Sequence, residues 1–122
     1  MADRPSPKPV VWIGSSHRDF CQFPDAVQAR MGYALYVAQQ GGGHRDAKVL
    51  KGFGGAGVLE IVSDHQGDTF RSIYTVRIAG SVYVLHAFQK KSKIGRKTPK
   101  AEIDLIKRRL RDAGNHAQGP RL

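Results

Sequence analysis

From Val58 to Phe88 the chain reads as three successive runs of strand character, Val58–Val62, Thr69–Ile78 and Ser81–Phe88. They are separated only by the turn-rich stretch around Asp64–Asp68 and by Ala79-Gly80. Connections this short cannot carry a crossover, which takes about a dozen residues or more, so the three runs must form an antiparallel meander. Alternation places Phe70, Tyr74, Val76 and Ile78 on one face of the middle strand and Arg71, Ile73, Thr75 and Arg77 on the other. An arginine in the middle of a strand must be exposed or paired. In the last strand Val82, Val84, His86 and Phe88 alternate with Tyr83, Leu85, Ala87 and Gln89.

A meander needs cover, and the flanking segments supply it. Val10–Ile13 is a short apolar run ending at Gly14, expected as a buried strand, and Ser15–Phe23 reads as a short helical turn. From Asp25, the repeat of Val27, Met31, Ala34, Leu35 and Ala38 makes one apolar helix stripe, stopped by Gly41-Gly42-Gly43. Gly41–Gly57 reads as a glycine-rich connection. Thr98-Pro99 is a helix start with a hydroxyl cap and proline in the first turn; Ile103, Ile106, Leu110 and Ala113 form its buried stripe, and Gly114 is its expected end. The expected fold is therefore α+β: a small antiparallel meander packed with N-terminal helices and a C-terminal helix. One domain is expected over residues 10–113, between an N-terminal tail (1–9) and a C-terminal tail (114–122), because 122 residues provide one core.

Charge is distributed very unevenly. Between His86 and Arg111 there are ten lysines and arginines but only Glu102 and Asp104 as acids, so this stretch holds most of the chain's formal +10. A strand that runs directly into concentrated positive charge suits a polyanion, because clustered cations attract phosphates and displace their counterions. Lys90, Lys91, Lys93, Arg96, Lys97, Lys107 and Arg108 belong to this stretch, and Lys48 and Lys51 lie in the glycine-rich connection. The single cysteine, Cys21, excludes a disulfide framework and any cysteine-based zinc site, and its aromatic neighbours suggest a buried structural thiol. No carboxylates or histidines fall at a ligand-like spacing, so neither metal nor cofactor is expected. No apolar run approaches the roughly 20 residues needed to span a bilayer, and Met1–Pro9 lacks the features of a secretory signal, so a cytoplasmic protein without a membrane partner is expected.

Four segments carry a resemblance: GYALYVAQ (Gly32–Gln39), AKVLKGF (Ala47–Phe53), FRSIYTV (Phe70–Val76) and VLHAFQKKSKIGRKTPKAEI (Val84–Ile103). Together with the order of elements, they resemble the phage-derived HigB-like branch of the RelE/ParE toxin superfamily. The resemblance implies a type II toxin: a metal-independent endoribonuclease (mRNA interferase) that cuts mRNA, commonly on the ribosome, and is neutralised by a helix-turn-helix antitoxin. It implies catalytic roles for Arg71, His86, Lys90 and Lys91 and matches Lys48 and Lys51 to a basic loop before the meander; with them, the charge pattern makes Lys93, Arg96, Lys97, Lys107 and Arg108 the RNA-binding candidates. The RelE-type C-terminal tyrosine is missing, so acid and base roles do not transfer directly. The alternative it implies is a ParE-like toxin that binds and inhibits DNA gyrase.

The residues themselves allow the ribonuclease chemistry. Metal-free RNA cleavage needs a base for the ribose hydroxyl, fixed positive charge at the phosphate and an acid for the leaving oxygen. His86 titrates near neutrality with little tuning, Arg71 stays protonated, and neighbouring lysines lower one another's affinity for protons.

Overall fold

A computed structural model describes residues 6–90 and 98–119. The elements run β1 (Val10–Trp12), α1 (Ser16–Phe20), α2 (Asp25–Gln39), β2 (Ala47–Val49), a 3-10 turn at Gly54–Ala56, β3 (Val58–His65), β4 (Asp68–Ile78), β5 (Ser81–Lys90) and α3 (Lys100–Gln118). The expected α+β architecture is present. Its sheet is larger and mixed, with order β1-β5-β4-β3-β2, because β1 lies parallel to β5 and β2 is added at the far edge.

The sheet separates two cores. On one face α2 buries Val27, Met31, Ala34, Leu35 and Ala38 against Ile61, Phe70, Tyr74, Val82 and Val84. On the other, α3 buries Ile106 and Ala113 against Val58, Ile73, Tyr83 and Leu85. The α2 stripe is the one its spacing gives; in α3 Ile106 and Ala113 are buried and Leu110 packs against them, whereas Ile103, expected in the same stripe, is half-buried outside this core.

Four expectations change. β2 lies inside the segment read as a glycine-rich connection: Ala47 packs on the α2-side core, Leu50 and Phe53 pack on the α3-side core, and the intervening backbone pairs with Ile61, Glu60 and Leu59 of β3. Gly114 does not end α3. The helix continues to Gln118 because Ala117 packs against the core and His116 Nδ1 lies 3.0 Å from the Tyr83 hydroxyl, contacts that outweigh the roughly 1 kcal/mol helix penalty of glycine. Thr98 does not cap α3; Pro99 occupies the cap position and the Thr98 hydroxyl turns to Glu60 Oε2 at 3.4 Å. Cys21 is exposed, with its sulfur 3.4 Å from His17 Nε2.

At the N-terminal end, Lys8 N donates to Gln39 O at 2.9 Å and Gln39 Nε2 donates to Lys8 O at 2.8 Å. Pro9 O accepts from Val82 N at 2.8 Å. Residues 8 and 9 are therefore fastened to α2 and β5.

Candidate active site at the end of β5

The side chains at the end of β5 are placed by an irregularity in the ladder. Opposite Ile73 stands His86, and opposite Tyr74 stands Val84, so Leu85 is an extra residue with no counterpart in β4. A bulge of this kind breaks strict alternation. Val84 points into the α2-side core, Leu85 packs in the α3-side core, and His86 follows Leu85 onto the α3 side, where it meets α3. His86 therefore does not share a face with Val82 and Val84, as simple alternation predicts.

On that face His86 is buried, with 6% exposure, and holds two partners from α3. Its Nε2 is hydrogen-bonded to Glu102 Oε2, and its Nδ1 lies 3.3 Å from Arg109 Nη1. Because the guanidinium can only donate, Nδ1 is the acceptor and the proton sits on Nε2, facing the carboxylate. Burial lowers the His86 pKa below its ordinary value of 6.5; the Glu102 hydrogen bond and charge oppose this, and Arg109 adds to the lowering. The imidazole is thus neutral at physiological pH, between a carboxylate and a guanidinium. Glu102, with a side chain 31% exposed, is the member of the pair that faces solvent.

Arg109 is itself anchored. Its Nη1 donates to Leu85 O at 3.1 Å, the carbonyl of the bulge residue, and its Nη2 donates to Ser15 Oγ at 3.0 Å. Ser15 Oγ in turn donates to Asp19 Oδ2 at 2.7 Å. Gly14 makes room: at φ +58°, a Cβ here would stand 2.8 Å from Arg109 Nε. Phe88 stacks on the His86 ring with centroids 4.7 Å apart and planes inclined by 17°.

Arg71, opposite Phe88 in register, lies on the same face. Its Nη1 is 2.7 Å from Glu60 Oε2, and both side chains are largely buried. The other expected site residues are dispersed. Lys90 ends β5 opposite Thr69 and is half-buried. Lys48 pairs with Glu60, so Lys48, Glu60, Ile73 and His86 form one row across four strands. At the usual spacing of strands, Lys48 is roughly 14 Å from His86, near enough for one RNA strand and too far for one phosphate. Lys51 is exposed in the turn after β2, and Lys107 and Arg108 are exposed on α3. Lys91, Lys93, Arg96 and Lys97 lie outside the described residues. Among the described residues, no three His, Cys, Asp or Glu side chains gather as a metal-binding group, and no helix is long and apolar enough to cross a membrane.

Sequence reasoning did not assign Glu102, Arg109 and Glu60 to the site. Arg109 is one of the ten cations between His86 and Arg111, and it stands three residues after Ile106, so it borders the buried stripe. Glu102 figures in the sequence reading only as one of the two acids between His86 and Arg111. That scarcity of acids in a strongly basic stretch was the signal for it.

The mixed sheet, the two-sided helix cover and the polar cluster at the strand end define a small α+β protein of RelE-like fold. Residues 18–111 match the family described as "Phage derived protein Gp49-like (DUF891)", and the chain belongs to that family, a toxin-like group related to RelE. No curated protein and no solved structure matches the chain.

Proposed function

We propose that the protein is the toxin of a type II toxin–antitoxin pair, of the HigB-like kind, and that it is a metal-independent endoribonuclease acting on mRNA, on the ribosome, with a helix-turn-helix protein as antitoxin. The observation that carries this reading is the His86–Glu102 pair on the face from which the basic strand end departs, with Arg109 fixed behind it.

In this mechanism the pair acts as one proton acceptor. Both imidazole nitrogens are occupied, so the half-buried but solvent-facing Glu102 carboxylate meets the ribose 2′-hydroxyl, while neutral His86 donates to it and fixes its direction. The 2′-oxygen attacks the adjacent phosphorus. Arg71 and the lysines at the strand end stabilise the charge that develops on the phosphate, and Lys90 donates a proton to the departing 5′-oxygen. The products are a 2′,3′-cyclic phosphate and a free 5′-hydroxyl. Lys48, Lys51, Lys107 and Arg108, with the cations of the 91–97 segment, hold the flanking RNA.

The test uses purified protein and end-labelled RNA in the presence of chelator, followed by chemical identification of the new ends. Cleavage with 2′,3′-cyclic phosphate ends is expected, lost in Glu102→Gln. Intact RNA together with inhibited gyrase supercoiling would replace this reading with the ParE-like one.

A further inference from the structure

A cleft of about 450 Å³ opens beside the second half of β5. β1 pairs only with Val82–Val84, so among the described residues no strand covers this edge of β5 from Leu85 onward. Asp19, Gln22 and Phe23 contribute one wall, Phe88 and Gln89 another, and Glu102 closes the end next to His86. The space suits a planar base with its ribose rather than a bare phosphate.

The chemistry of the walls narrows the ligand. Two carboxylates border the cleft, and each has one oxygen already engaged: Asp19 Oδ2 by Ser15, Glu102 Oε2 by His86. Asp19 Oδ1 lies 3.9 Å from the exposed Arg18 guanidinium. Carboxylates only accept hydrogen bonds, so they repel phosphate and favour groups that donate. Phe88, half-buried in the lining, gives the cleft an aromatic wall of the kind that holds bases. A cationic side chain would also suit acids beside aromatic rings, but the chain's +10 charge opposes its approach, whereas it attracts a nucleic acid whose phosphates remain outside the cleft.

We propose that this cleft is a nucleobase subsite that selects bases bearing an amino group, adenine, cytosine or guanine, over uracil, with Asp19 as the discriminating acceptor. This rests on the RNA reading above. The exocyclic amino group of the first three donates into the Asp19 carboxylate. Uracil has no amino group, and its one donor on that edge, N3–H, stands between two carbonyl oxygens, at least one of which would oppose the carboxylate. One misplaced base contact of this kind is worth about tenfold in binding.

The four nucleoside 5′-monophosphates can be titrated against the full chain while backbone amide resonances are followed by NMR; their common phosphate cancels in the comparison. AMP, GMP and CMP are expected to move the resonances of residues 19–23 and 86–89 and to bind about tenfold or more tighter than UMP. Asp19→Asn, which keeps the shape and adds a donor, is expected to bring the ratio within about threefold. Equal binding of UMP by the unaltered protein, an unchanged ratio in Asp19→Asn, or shifts confined to other residues would overturn the proposal. So would tighter binding of N-acetyl-arginine amide at the same resonances, which would assign the cleft to a protein partner's cationic side chain. Because the readout is binding, an absence of RNA cleavage would refute the nuclease reading and leave this comparison decisive for the cleft.

Discussion

Removing the Arg71–Glu60 pair one partner at a time, and then together, distinguishes what this arginine does for the fold from what it does for chemistry. The side chains are 8% and 14% exposed and their closest atoms are 2.7 Å apart. Arg71→Met leaves the Glu60 carboxylate buried without its cation, and a stranded buried charge costs about 3–5 kcal/mol. Glu60 keeps some water and the Thr98 hydroxyl at 3.4 Å, which puts the expected loss at the lower end, about 3 kcal/mol. Glu60→Met deprives the buried guanidinium of this carboxylate and is expected to cost up to a similar amount. With both replaced by methionine no charge is stranded, and the loss should fall to about 1 kcal/mol. In urea unfolding, taking a slope of about 1.5 kcal/mol per molar, each single variant should lower the midpoint by about 2 M and the double variant by less than about 1 M. A double variant as destabilised as the two singles combined would refute the argument that the pair is coupled. The same protein then reports on chemistry. If Arg71 supplies fixed charge to the phosphate, the stable double variant should cleave RNA about 10² times more slowly or worse; normal cleavage would confine Arg71 to the fold.

Glu102→Gln should reduce the cleavage rate by about 10² or more with little change in RNA affinity, since it removes the proton acceptor and keeps the side chain's shape; parallel rate and binding measurements check this. Gly14→Ala forces a side chain into a left-handed conformation and against Arg109, so a loss of about 1–2 kcal/mol is expected in thermal or urea unfolding. Because folding lowers the His86 pKa, the unfolded chain binds this proton more readily. Its contribution to stability is present above the ordinary value of 6.5 and is lost as pH falls from there through the depressed folded value. Urea midpoints measured from pH 7.5 downward should therefore fall less steeply in His86→Gln than in the unaltered protein. Arg108→Ala should lower the salt dependence of single-stranded RNA binding by about 0.7 in logarithmic slope with cleavage retained, whereas Arg109→Ala, which releases His86, should impair cleavage itself.

How much of this was legible beforehand follows from where the information resides. The stripe of α2 and most of that of α3 are recorded in residue spacing, and the three main strands in apolar runs with turns between them, so both were readable. β2 has only three residues and follows three glycines; its identity comes from the backbone of β3, which sequence periodicity does not display. The continuation of α3 past Gly114 depends on Tyr83 and His116, which are 33 positions apart. His86 was identified, on the wrong face, because alternation assumes a regular ladder and Leu85 breaks it. Glu102 and Arg109 were missed as site residues because exposed helix charges are the commoner case, and only the α3–β5 packing turns these two toward His86.

The extra residue in β5 also bears on which insertions and deletions the strand can accept. With Leu85 left out, Val84 would still face Tyr74 and His86 would still face Ile73, so the ladder on either side would close into regular pairing. The reading of side chains as inward or outward elsewhere in β5 would not change. Such a deletion would remove one core side chain and the carbonyl that holds Arg109, while the imidazole would stay opposite its present neighbour. Deleting Ala87 instead would shift Phe88, Gln89 and Lys90 by one position against β4 and exchange their faces. Two single-codon losses, two positions apart, thus have opposite consequences: one leaves the order of the strand intact, and the other reverses the sidedness of its charged end.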